Sequence, residues 1–181
     1  MSLTINKIGL LDLQQLQEIG FDSYVPHYAH LWKPNGIEWY MNRCFGEEFL
    51  KNEIVNPNVE YYIIENDGEN IGMMKLVLRK PLPNSDIENA LYLEKIYFIK
   101  SWTGKGVGRK LIDFTLRRAA ALNRDCVWLM AMDTSEKPIE AYKKAGFVIN
   151  SFTNLGDEFE LMKEEFRGMV VMKNCLEKNG N

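Results

Sequence analysis

Three glycines fall within Thr103-Gly104-Lys105-Gly106-Val107-Gly108-Arg109-Lys110, directly ahead of apolar residues that recur at helical spacing. A helix that opens there presents unpaired backbone N–H groups and the positive end of its dipole. Glycines let an anion approach that backbone closely. Arg109 and Lys110 stand in the first turn, placed to add charge-assisted bonds to a diphosphate or a ribose phosphate. Two familiar glycine loops fail on spacing. The dinucleotide fingerprint needs a glycine where Arg109 stands, and the P-loop needs Gly-Lys-Ser/Thr after four intervening residues. The competing reading is a tight, exposed strand-to-helix turn, for which three glycines are more than the turn requires.

The spacing that remains resembles the Arg/Gln-x-x-Gly-x-Gly/Ala motif of the GNAT superfamily of N-acetyltransferases. Gly106 and Gly108 match it, and Thr103 occupies the Arg/Gln position. A second segment, Ser135 to Phe147, resembles the family's Asn-x-x-Ala-x-x-x-Tyr-x-x-x-Gly-Phe. Tyr142, Gly146 and Phe147 match at the right spacing, while Ser135 replaces the Asn and Pro138 the Ala. Proline is tolerated in a first helical turn, where its missing N–H would have been unpaired anyway. On these two motifs the chain is identified as resembling the GNAT family over residues 90–147. The run Leu91-Tyr-Leu-Glu-Lys-Ile-Tyr-Phe and the later Tyr-Lys-Lys-Ala-Gly-Phe look like the bacterial PaiA-type polyamine acetyltransferases.

The resemblance implies acetyl-coenzyme A as cosubstrate and direct attack of an amine on its thioester. It implies a coenzyme site made by Thr103, Gly104, Lys105, Gly106, Val107, Gly108 and Arg109, joined by Ser135 and Lys144. Backbone N–H groups of Ile96, Tyr97 and Phe98 are expected to hold the pantetheine amides or the oxyanion. A lysine-like amine has a reference pKa of about 10.4 and must lose a proton before it attacks, so a base is needed. Glu94, on one strand face with Tyr92, Ile96 and Phe98, is the candidate; a salt bridge to a neighbouring lysine is its alternative role. Tyr142, a phenol of reference pKa about 10, is the candidate acid for the departing thiolate. Its alternative role is packing beside Ile139 and Ala145. Within the aromatic stretch Phe21 to Phe45, the family position makes Tyr24, His27 and Trp32 expected acceptor contacts. Asp22, Glu38 and Glu94 would supply acidity suited to a polyamine. A non-catalytic acyl-coenzyme A sensor is the alternative function, motivated by the departures at Thr103 and Ser135.

These groups require a particular set of elements. A strand at Leu3–Ile8 and a helix around Leu11–Phe21 come first, then a helix over Glu47–Val55 that ends before Asn56-Pro57. Val59–Glu65 and Asn70–Arg79 pair antiparallel across Asp67-Gly68, a strong hairpin signal. Leu91–Ile99 is apolar on both faces and belongs at the sheet centre. Gly106–Leu122 reads as a helix, and the seven apolar residues Cys126–Met132 as a buried strand parallel to Leu91–Ile99. A helix over Glu136–Ala145 stops at Gly146, and Phe147–Phe152 and Gly168–Lys173 close the sheet. The fold class is therefore α/β, implied to be the GNAT fold: a mixed, mostly antiparallel central sheet with a splayed parallel pair and helices on both faces.

With 181 residues the chain fits one domain over 1–181, and its 46% hydrophobic and 26% charged composition is that of a globular protein. A net charge of −3 gives no reason to expect nucleic-acid binding. No stretch approaches the roughly 18 apolar residues of a membrane span. Cys44, Cys126 and Cys175 lie far apart in sequence and fit neither a disulfide framework nor a zinc cluster, which points to a reducing, cytoplasmic setting. His27 and His30 are three apart and would share a helix face, but lack a third ligand, so no metal is expected. The partner is a small amine, and the chain is expected as a monomer or homodimer.

Overall fold

The computed structural model describes residues 2–176. Two compact units can be distinguished. The first takes residues through Leu76 with Lys95–Lys105 and Leu161–Lys163; the second takes Val77–Glu94, Gly106–Glu160 and residues from Glu164 on.

The first unit holds β1 (Leu3–Lys7), α1 (Leu13–Tyr28), α2 (Gly36–Phe45), α3 (Glu47–Val55), β2 (Val59–Asn66) and β3, which runs Glu69–Val77 and ends at the unit's boundary. Strands β1 and β2 pair antiparallel from Leu3↔Asn66 to Lys7↔Tyr62. Asp67 and Gly68 both have positive φ, 50° and 85°, the backbone of a type I′ turn whose twist suits a two-residue hairpin. Helix α1 runs seven residues past the expected end at Phe21, through Pro26. The buried positions Leu16, Ile19, Gly20, Ser23 and Tyr24 continue the helical period past Phe21, and that packing outweighs the proline, which lies in the last turn. Gly20 lets α2 close in: a Cβ there would sit 2.4 Å from the Phe45 ring. Buried Lys75 of β3 forms an ion pair with Glu53 of α3, and the Tyr61 hydroxyl donates to the same carboxylate at 3.2 Å, tying α3 to the strands.

The second unit holds α4 (Val107–Ala121), β5 (Cys126–Met132), α5 (Glu136–Lys144), β6 (Val148–Asn154) and β7 (Gly168–Cys175). Strand β4 (Ala90–Phe98) contributes Ala90–Glu94 here and its last four residues to the first unit. It pairs parallel with β5 from Ala90↔Cys126 to Leu93↔Leu129 and then runs on for Glu94–Phe98. Strand β5 pairs antiparallel with β7 along its whole length, and β7 with β6. Tyr92 and Trp128 stack at 3.9 Å in a core cluster with Leu82 and Val171. The sheet order is β1-β2-β3-β4-β5-β7-β6, with β4 fourth of seven as expected.

Gly72 of β3 has no room for a side chain. A Cβ there would meet the Tyr97 carbonyl oxygen at 2.4 Å and the Phe98 ring at 2.8 Å. Gly72→Ala is therefore expected to lower stability by about 2 kcal/mol, read as an earlier urea midpoint at unchanged m. A loss under about 0.5 kcal/mol would show that β4 has room to move there.

Two of the cysteines lie nearer in space than their sequence spacing suggests. Cys126 and Cys175 face each other across β5 and β7, and their sulfurs lie 3.3 Å apart as free thiols. Leu176 N donates to Asp125 O, so 126↔175 is a non-hydrogen-bonded pair, where Cα atoms approach to about 4.5 Å, inside the window a disulfide spans. Burial pushes the Cys126 thiol up to about 12, while Cys175 is exposed. Hydrogen peroxide is expected to oxidise Cys175 to the sulfenic acid with release of one water, and the Cys126 thiol then displaces the second water to close the bridge, two thiols and one peroxide giving one disulfide and two waters. Titratable thiols should fall from three to one, and peptide mapping should find the 126–175 bridge. Retention of all three thiols would contradict the pairing.

His27 and His30 do not share a helix: α1 ends at Tyr28, and His30 sits in a separate 3₁₀ turn over Ala29–Leu31. Among the described residues no cluster of three potential metal ligands occurs, and no helix is long and apolar enough to cross a membrane.

Candidate active site

The glycine loop begins after a 3₁₀ turn at Lys100–Trp102. The Thr103 hydroxyl donates to the Lys100 carbonyl at 2.9 Å, so its side chain closes that turn. The Lys105 ammonium lies 4.4 Å from the centre of the Trp102 ring, a cation–π contact. Gly104 and Gly106 both have φ of 77°, the left-handed region that glycine enters without strain, and Gly106 is the N-cap of α4. No side chain caps that terminus and its first turn has no acidic residue. A Cβ at either glycine would meet nothing within 4 Å, so the ground in front of the loop is open. Val107 is buried and anchors the first turn from behind.

Arg109 has two partners within the protein. Its Nε bonds Asp113 at 3.0 Å and its terminal nitrogen donates to the Lys144 carbonyl at 3.0 Å. A guanidinium at the carboxyl end of α5 suits that helix dipole, so Arg109 braces the helix that carries Tyr142.

The end of α5 explains the Tyr-x-x-x-Gly-Phe spacing physically. Gly146, at φ 91°, is the left-handed residue past the helix. Its N–H bonds the Lys143 carbonyl, and Phe147 N–H reaches back to the Tyr142 carbonyl. This is a Schellman motif, whose usual apolar contact is made by the Tyr142 and Phe147 rings, 6.0 Å apart. Half-buried Tyr142 is thus held by backbone and ring on a helix that also buries Ile139 and Ala145. Ser135 is the N-cap of α5 without a side-chain cap bond, and Pro138 lies in its first turn.

Glu94 is half-buried on β4. Its neighbour on the same face, Tyr92, has its phenol pushed above the ordinary range, first by burial and then by the Glu94 charge. Ile96, Tyr97 and Phe98, also half-buried, lie past the last β4–β5 pair.

The acceptor candidates belong to an aromatic cluster of the first unit. Tyr24 stacks on Tyr40 at 4.4 Å, meets the Tyr97 ring edge-on at 5.3 Å and accepts the Trp32 indole N–H at 3.2 Å. The Tyr40 and Tyr97 hydroxyls are 3.3 Å apart. Desolvation by burial drives the phenols of Tyr24, Tyr28, Tyr40 and Tyr97 above their usual value, so all four stay neutral at physiological pH. Tyr24 and Trp32 are 4% and 5% exposed, which makes them the cluster's floor, whereas His27, Tyr28 and Tyr97 are half-buried. His27 Nε2 contacts the Phe98 carbonyl at 3.1 Å. Sequence reasoning singled out neither Tyr28 nor Tyr40, and valued Tyr97 for its backbone alone. The only signal was that Tyr97 falls on the strand face opposite Glu94. Asp22 and Glu38 are exposed on α1 and α2.

Comparison with known proteins adds four findings. The model of the Acetyltransferase (GNAT) family matches residues 14–147. A Lactobacillus delbrueckii subsp. lactis protein, described as an uncharacterized N-acetyltransferase in the pepI 3′ region, is 24% identical over 143 residues, 78% of this chain and 82% of its own. A spermidine N(1)-acetyltransferase of Thermoplasma acidophilum is 28% identical over 116 residues, 62% of this chain and 67% of its own. Among solved structures, the PaiA N-acetyltransferase of Thermoplasma acidophilum in complex with coenzyme A superposes with a TM-score of 0.77 at 21% identity, covering 97% of this chain and all of that one.

Proposed function

The chain belongs to the acetyltransferase (GNAT) family and uses acetyl-coenzyme A, and from this premise we propose that it acts as one catalytic domain acetylating a primary amine of a small polyamine. The observation that carries the reading is the α4 terminus, where two left-handed glycines face open space with no side-chain cap. The likeness to a spermidine N(1)-acetyltransferase supports the polyamine acceptor, and the free thiols support a cytoplasmic setting.

Acetyl-coenzyme A supplies an acyl thioester, whose carbonyl carbon is open to attack by a neutral amine. The backbone amides of Val107 and Gly108 hold the diphosphate, and their fixed dipoles need no reorganisation when the anion arrives. Lys105 and Lys144 add positive charge near it, and the Ile96–Phe98 backbone receives the pantetheine arm. Glu94 takes the proton that the acceptor ammonium must lose before its nitrogen bonds the acetyl carbon. Tyr142 donates its hydroxyl proton to the sulfur as the carbon–sulfur bond breaks, and its phenolate is restored by the second proton that the nitrogen sheds on becoming an amide. The neutral phenols around Tyr97, with Tyr28, offer π faces and oxygens to a cationic acceptor.

An assay with a panel of amines tests this. Polyamines and short diamines are expected to release one free thiol per N-acetylated product. Tight coenzyme binding with no thiol release for any amine would instead favour a non-catalytic sensor.

A further inference from the structure

We infer that His27 is a positioning residue that fixes the coenzyme-binding end of β4 by donating its Nε2 hydrogen to the Phe98 carbonyl; this rests on the acetyl-coenzyme A reading above. The contact is 3.1 Å long and joins residues 71 apart in sequence. A main-chain carbonyl only accepts, so Nε2 must carry the hydrogen. The ring is held in turn by Tyr28, 5.8 Å away, and Tyr28 packs on Tyr97 at 5.8 Å.

Phe98 closes a stretch that needs outside support. The pairs between β4 and β5 end at Leu93↔Leu129, so Glu94–Phe98 continue past that ladder. Against β3, Ile99 N donates to Ile71 O at 3.0 Å, and the missing side chain of Gly72 lets the Tyr97 carbonyl approach. That contact sets the distance of the Tyr97–Phe98 backbone from β3. The Phe98 carbonyl shares one peptide plane with the Ile99 N–H, so the His27 bond is the second tether of a plane that Ile71 already holds on its amide side. Rotation of that plane swings neighbouring amides, so a strand end without His27 would have to be ordered by the coenzyme at a cost in affinity.

The test compares wild type with His27→Phe, His27→Gln and His27→Ala, using steady-state kinetics with acetyl-coenzyme A varied. Loss of one hydrogen bond of ordinary strength corresponds to about a tenfold change in an equilibrium constant. His27→Phe keeps a ring but has no N–H, and should raise KM for acetyl-coenzyme A about tenfold while kcat stays within about twofold. His27→Gln offers a side-chain N–H and should recover most of the loss; His27→Ala should match Phe. Ring 15N shifts of the wild type should place the hydrogen on Nε2. Equal KM for Phe and wild type, or Gln no better than Phe, would overturn the inference. Calorimetric titration of wild type with acetyl-coenzyme A separates the two levels: no binding there removes the underlying reading, whereas binding unaffected by His27→Phe removes only the role of His27.

Discussion

Gly106→Val is expected to raise the acetyl-coenzyme A concentration needed for half-maximal rate by at least about a hundredfold while leaving the protein folded. Gly106 has φ of 77°, and a β-branched residue there carries about 1–2 kcal/mol of backbone strain. Nothing in the protein lies within 4 Å of the new Cβ, so strain is the main cost to the fold. On the proposed reading the bound diphosphate occupies that same open ground, and the added methyl groups would keep it from the Val107 and Gly108 amides. Gly68→Val supplies a matched control, since Gly68 also has positive φ, 85°, and open space, but sits in the β2–β3 turn. Both variants should lose comparable thermal stability, and only Gly106→Val should lose coenzyme affinity. Equal affinity in the two would separate the loop from the coenzyme.

The second large effect belongs to Tyr142. Tyr142→Phe is expected to lower kcat about a hundredfold, the lower range for loss of a general acid, with KM for both substrates within a few-fold. The helix cap uses the Tyr142 carbonyl and the ring contact to Phe147, and phenylalanine keeps both. Thermal stability should hardly change, whereas Tyr142→Ala should lose stability as well as rate by removing the contact with Phe147. Full activity in Tyr142→Phe would reduce the residue to its capping role and leave the thiolate to take its proton from water.

Local patterns were legible in the sequence. The unbroken apolar run Cys126–Met132 became β5 with those bounds, and Glu47–Val55 became α3, because burial on both faces and a proline stop are written into adjacent residues. The glycine loop and the Tyr142–Phe147 cap were legible for the same reason, since each is a short backbone device with its own residue code. What escaped depends on pairs far apart in the chain. The aromatic stretch told nothing of Tyr40 meeting Tyr97, nor of His27 reaching Phe98, 57 and 71 residues away. The Cys126–Cys175 pair, 49 residues apart, exists only through the β5–β7 register. That Arg109 also reaches the carbonyl of Lys144, 35 residues on, was not written beside the glycines. The extension of α1 past Phe21 was hidden by Pro26, whose disruption is small in a last turn.

The most direct measurement is a crystal structure with coenzyme A bound. Diphosphate oxygens within about 3 Å of the Val107 and Gly108 amides, with the pantetheine arm against the Ile96–Phe98 backbone, are the expected result. Density for the coenzyme elsewhere on the chain, or a diphosphate held by side chains alone, would contradict it.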